Sequence, residues 1–266
     1  MKYYLNMFFT LKGAYLKGRF SFHFNFIVEI IGVFASAGVW LAGIMFAMKK
    51  YGAIGGWEFP EILLLISLFY IAWALASILC LHLYSLITDV RTGNFVQYMV
   101  RPLPPLFYYI ANTLPIHTIG MLLSSIGMFI WANTLLPIEY TWSTIFFLIY
   151  SILGGTAIII GTFILNSSMA FRQVDTIMTF ENVLNVSREM SRLPLFIYPP
   201  YLKWILVAIV PYGLVGYIPI HFILKKEIID FPAFMIGLAP LIGFVYLGCT
   251  CYVWNYMMKK YDVTGS

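Results

Sequence analysis

The residues best placed for chemistry lie in the stretch Thr88–Pro105, TDVRTGNFVQYMVRPLPP, which carries Asp89, Arg91 and Arg101 with the turn-formers Gly93, Pro102, Pro104 and Pro105. It separates two apolar runs long enough to span a bilayer, so it must sit at one water-facing surface. Thr88–Val100 suits a short helix across that surface, with Phe95, Tyr98 and Met99 presenting one contact face. Arg101-Pro102-Leu103-Pro104-Pro105 would end the helix and turn the chain back. A short stiff element of this kind can pass the movement of a docked partner to the spans on either side. An ordinary loop anchored by Arg101 reads equally well on pattern alone.

A second candidate is Glu29, the acidic residue well inside a predicted span. An intramembrane carboxylate is a candidate for substrate or proton handling. At about one and a half turns into its helix, however, it could reach the headgroups or pair with a basic residue of the N-terminal segment, and that reading is preferred. Enzymatic patterns are missing: there is no phosphate-binding G-x-x-x-x-G-K-[ST], no H-E-x-x-H and no G-x-S-x-G. His23, His82, His117 and His221 are far apart and read as packing residues; Cys80, Cys249 and Cys251 fall inside apolar runs and read as small hydrophobes. The chain is therefore expected to hold no catalytic residue, metal or cofactor of its own.

The elements that must position these residues are set by composition. Hydrophobic residues make up 61% of the chain and charged ones 10%, with a mean hydropathy of +0.87. Soluble domains carry about 25% charged residues, so the chain is built for lipid, with no room for a soluble catalytic domain. The basic residues are scattered, which argues against nucleic acid. The expected fold is an all-α polytopic membrane protein, one membrane domain over 1–266. An amphipathic helix at 1–22 would lie along an anionic interface. Six spans follow, at 24–48, 62–87, 107–132, 142–170, 202–224 and 233–258. The fifth holds Pro211 and Pro219 with Gly213 and Gly216 between them. It should be broken, and buried in protein or lining a wet cavity. Trp57, Trp131, Tyr140 and Trp142 fit an interfacial aromatic belt.

Lys and Arg set the orientation. With the N-terminus inside, twelve of the sixteen basic residues fall inside, among them Arg91, Arg101, Arg172, Arg188, Arg192 and Lys203. Lys49, Lys50, Lys225 and Lys226 fall outside. Both termini, Met1 and Ser266, are expected in the cytosol with Thr88–Pro105 and with Phe171–Tyr201. The first part of that last segment would be an amphipathic extension of the fourth span. Its LPLFIYPPY end cannot be regular helix.

At this point the chain resembles the ABC-2 type exporter permeases, in their branch of short bacterial six-span subunits. The resemblance rests on GNFVQYMVRPLPPLF (Gly93–Phe107), on LPLFIYPPYLKWILVAIVPYGLVGYIP (Leu193–Pro219) and on the terminal Gly265-Ser266 after Tyr261. Gly93, Phe95, Tyr98, Arg101 and Pro102 match the first family motif; Val96 stands where an acidic residue is common. Pro194, Pro199, Pro211 and Pro219 match the second. The resemblance implies a subunit of an export complex in a bacterial cytoplasmic membrane. Two permease subunits, the same or different, would pair above two separate ATPases that hold ATP and Mg. Arg91, Gly93, Phe95, Tyr98, Arg101 and Pro102 would couple to the ATPase. The nearly uncharged spans point to an apolar or amphipathic cargo, with a hydrophilic cargo at the dimer interface as the alternative. An intramembrane lipid-modifying enzyme and a non-transporting regulatory subunit are the rival readings.

Overall fold

In lipid a backbone must satisfy its own hydrogen bonds, so long apolar runs become helices. The computed structural model describes residues 2–20, 23–172, 174–226, 232 and 234–261. Met1, Phe22, Ala233, Gly265 and Ser266, to which the sequence assigns a place, lie outside them. The described residues form helices and turns, with one isolated bridge between Ile54 and Trp57 and no strand. Five helices among them are long and apolar enough to cross a membrane. These are α2 (His23–Tyr51), α3 (Phe59–Cys80) with its continuation, α7 (His117–Leu135), α8 (Trp142–Ser168) and α12 (Met235–Met258).

α3 is the central element. Pro60 and the Glu61 carboxylate, which accepts the Glu58 N–H at 3.0 Å, start it. A 3-10 stretch, Leu81–Ser85, then carries it into α4 (Leu86–Arg91). α8 and α12 run beside it in the same direction. Phe163 packs on Trp73 (5.4 Å between ring centres) and Tyr84 (5.3 Å), and Phe171 on Phe95 (5.2 Å) and Trp254 (5.0 Å). α8 and α12 touch backbone to backbone: a methyl on Gly243 would overlap the Gly154 carbonyl. α2 and α7 run the opposite way. The bundle thus has an Arg101 end and a Trp57 end.

The third crossing is not the continuous helix expected at 107–132. α5 (Val96–Met99) and α6 (Pro105–Ala111) lie at the Arg101 end, and a break around Pro115 separates them from α7. Proline lacks the donor that would continue the ladder. α1 (Lys2–Phe20) packs on this end, with Tyr4 edge-on to Phe107 at 5.3 Å.

The largest correction lies between α8 and α12. α9 (Val174–Met190) does not stay at the Arg101 end. The amide of Asn166 donates to Glu181 (3.2 Å), Arg188 lies over Trp73 (5.0 Å), Arg192 lies over Tyr70 (4.9 Å), and Phe196 reaches Trp57 (6.0 Å). The chain climbs alongside α3 toward its start, so the crossing falls between 171 and 196. α10 (Pro200–Trp204) and a π turn at Ile205–Ile209 then dip back from the Trp57 end. Pro211 breaks this limb. A 3-10 turn at Pro211–Leu214 and α11 (Tyr217–Ile223) lead out again, the two limbs meeting at 82°. Tyr212 marks the deepest point, against Phe69 (6.2 Å) and Trp73 (5.8 Å). Tyr217 and His221 are back at Trp57, Lys226 pairs with Glu61 (2.6 Å), and Lys225 pairs with Glu139 (3.2 Å).

The span expected at 202–224 is therefore a re-entrant hairpin, and the segment 171–201 expected in the cytosol contains a crossing. The reason is length. The limb Pro200–Ile209 covers about 15 Å, half a bilayer, before proline ends it. As expected, the break is buried: Pro211, Gly213, Gly216 and Pro219 are enclosed by protein. Trp57 is corrected too. It is 6% exposed, a platform for the hairpin rather than a belt residue.

Candidate functional site

Two features stand out, one at the Arg101 end and one inside the bundle. The first is the stretch after α4. Gly93 takes φ +74°, which a glycine adopts without strain, and the Phe95 N–H returns to the Asp89 carbonyl at 3.0 Å. The Tyr109 hydroxyl donates to the Asp89 carboxylate at 2.7 Å and meets Ser85 Oγ at 3.2 Å. His82 stacks on the same Tyr109 ring (4.8 Å). The result is a tight knuckle bonded to the bundle.

Phe95 and Tyr98 do not form a contact face with Met99, as the sequence suggested. Phe95 is fully buried among Tyr98, Tyr109, Phe171 and Tyr261, and Tyr98 is 7% exposed. Burial pushes the Tyr98 phenol above its ordinary 10.0, so the ring serves as a neutral wall. A four-residue helix has one inward face, and the two aromatic rings take it. What points outward is Arg91, Asn94, Gln97, Met99, Val100, Arg101 and Pro102, with Val100 75% exposed. The Arg101 guanidinium lies over Tyr108 at 5.7 Å. Val100 and Gln97 were missed because nothing in the linear pattern says which side of so short a helix faces water.

Lys12 holds this end together. The sequence placed it on an anionic interface, yet it is 5% exposed. Its ammonium donates to the carbonyls of Ile78 (3.1 Å), Leu79 (3.4 Å) and Thr113 (2.5 Å). These carbonyls flank the two helix breaks, where the regular ladder stops. Burial lowers Lys12 from 10.5 to about 8. The unfolded chain binds more protons than the folded one between those values, so stability rises with pH from about 8 to 10.5 and is flat below. Thermal midpoints of the detergent-solubilised protein should rise over that range in the parent and not in Lys12→Met. Parallel curves would remove Lys12 as the source.

The second feature is a cleft of about 570 Å³ between α2, α3, α7 and the end of α9. Its walls carry Trp40, Tyr70, Trp73, Met121 and Met128, and its polar groups are Glu29, Ser36, His117, Ser124, Arg188 and Arg192. The Glu189 carboxylate pairs with both arginines, at 3.2 Å from Arg188 and with a closer contact to Arg192. The trio keeps one net positive charge. Trp73 lies close to the middle of the Phe59–Arg91 helical stretch, so Arg188 sits near mid-height of the apolar bundle. Hydrocarbon would not tolerate it there; a protein-lined or wet space is required. Glu29 is exposed on α2 at the Arg101 side of the cleft, and no partner among the described residues pairs with it. It forms part of the cleft wall. Among the described residues no three His, Cys, Asp or Glu side chains converge as a metal site needs.

A family model described as ABC-2 family transporter protein matches residues 34–265, which include the knuckle, the hairpin and both cleft arginines. No curated protein and no solved structure matches the chain. Multi-pass helices, a charged cleft inside them and a match over nearly the whole length agree: the chain belongs to the ABC-2 family of transporter proteins and is a membrane component of that class.

Proposed function

We propose that the chain is the permease subunit of an ATP-binding-cassette exporter in a bacterial cytoplasmic membrane. A separate ATPase would hold ATP and Mg and dock on the knuckle, with Arg91, Gly93, Arg101 and Pro102 on or beside its surface and Phe95 and Tyr98 fixing it from within. The observation that carries this reading is the arginine pair opening into a cleft halfway through the apolar layer. Such groups belong to a pathway rather than to a passive anchor. Glu189 is half exposed there, so a second permease subunit, the same or different, would cover the open side. The Arg101 end would face the cytosol, with both termini. Lys2, Lys12, Lys17, Arg19, Arg91, Arg101, Arg172, Lys259 and Lys260 lie toward it, against Lys49, Lys50, Lys203, Lys225 and Lys226 at the other. Purification of the tagged chain from its host should bring down an ATPase whose hydrolysis is vanadate-sensitive in proteoliposomes. A chain that purifies alone, with a lipid product lost on deletion, would favour a membrane enzyme instead.

A further inference from the structure

We infer that the cleft binds an amphiphile with a single anionic headgroup, phosphate or carboxylate, seated on Arg188 and Arg192 with its apolar chain along Trp40, Val33 and Met121. The assignment rests on the permease reading and names its cargo class. It narrows the apolar or amphipathic cargo that composition suggests to an anionic amphiphile.

Three observations carry it. First, the charge does not close. Two guanidinium groups share one carboxylate, and the Nε of each is buried without a hydrogen-bond partner. A buried donor left unpaired is costly, more so at a charged group, so the site is poised for an acceptor. Second, the guanidinium faces are already occupied. Trp73 lies 5.0 Å from Arg188, and Tyr70 and Trp40 lie 4.9 and 5.5 Å from Arg192. These cation–π contacts hold both guanidinium groups at the cleft wall, where their N–H groups can meet an oxyanion. Third, the rest of the wall is mostly apolar, with Ser36, His117 and Ser124 as its neutral polar side chains, and its volume of about 570 Å³ is that of a small-molecule site. Glu29 and Trp40 are separated by about 16 Å along α2, so the Glu29 carboxylate does not crowd an anion at the arginines. It would instead repel the headgroup from the Arg101 side and favour its seat at mid-depth.

The test uses the full chain in neutral dodecyl maltoside micelles, without ATPase, and follows tryptophan fluorescence, since Trp40 and Trp73 line the cleft. Dodecyl phosphate or dodecanoate should bind saturably. Dodecanol, which lacks the charge, and inorganic phosphate, which lacks the chain, should bind at least about tenfold more weakly. The Arg188→Gln, Arg192→Gln double variant should lose about tenfold or more for dodecyl phosphate. Glu189→Gln should tighten it about threefold or more, because a competing carboxylate is gone. A gain cannot come from misfolding, so this variant protects the test from an unstable double variant. Equal binding of dodecanol, equal binding of inorganic phosphate, parental affinity in the double variant, or weaker binding in Glu189→Gln would each overturn the assignment. Because no ATPase takes part, such a failure is separate from failure to recover an ATPase with the tagged chain.

Discussion

A cysteine at Ile197 should react with an impermeant maleimide from the same side of the membrane as one at Lys225, and a cysteine at Arg101 from the opposite side. The background must lack Cys80, Cys249 and Cys251. The effect is all-or-none, and it separates two topologies that differ by one crossing. If 202–224 spans the membrane, Ile197 belongs with Arg101. If that region is the hairpin described above, Ile197 belongs with Lys225. The contacts favour the hairpin from both of its limbs. Phe196 lies at Trp57 before the first, and Lys226 pairs with Glu61 after the second. Ile197 is 40% exposed and Lys225 is exposed, so both are within reach of reagent. Labelling of Ile197 together with Arg101 would restore the continuous span. Lys50 and Glu139 should report the Lys225 side under either topology; Asp230 lies outside the described residues.

The same region shows what was legible in the sequence and what was not. α2, α3, α8 and α12 could be read because a long apolar run has one structural solution in lipid. Pro211 with Gly213 and Gly216 marked a break in the sequence, and those residues are buried. That the break reverses the chain was not read, although Pro199-Pro200 and Pro211 bound a limb too short to cross. α9 escaped because hydropathy scores Arg188, Glu189 and Arg192 as polar whatever they meet. Their compensation lies in other helices: the rings of Trp73 and Tyr70, one turn apart on α3, receive two arginines also one turn apart. That matching i,i+3 and i,i+4 spacing is the signal that could have found the cleft. Lys12 gave no signal at all, since the carbonyls it meets are freed by breaks in two distant helices.

The knuckle is the proposed ATPase surface. Val100→Asp should weaken ATPase association by about thirtyfold or more, and Arg101→Ala should weaken it less, whereas Phe95→Ala should leave association and remove the link between hydrolysis and transport. Val100 is the most exposed apolar side chain of the knuckle, with Met99 beside it, so a partner groove would bury it. Losing such an anchor costs about 2 kcal/mol, roughly thirtyfold, and a buried unpaired carboxylate adds to that. Arg101 lies over Tyr108 and keeps only part of its charge for a partner. Phe95 makes no outward contact. It fastens the knuckle to Tyr109, Phe171 and Tyr261, and so to the third crossing, to the end of α8 and to the segment after α12. Its truncation opens a cavity costing about 3–5 kcal/mol. The knuckle would then keep its surface and lose its stiffness. The measurement is ATPase co-purification with each variant, paired with transport per ATP hydrolysed at matched membrane levels. Parental association in both Val100→Asp and Arg101→Ala would show that the ATPase docks elsewhere. Coupled transport in Phe95→Ala would show that force does not pass through the buried ring.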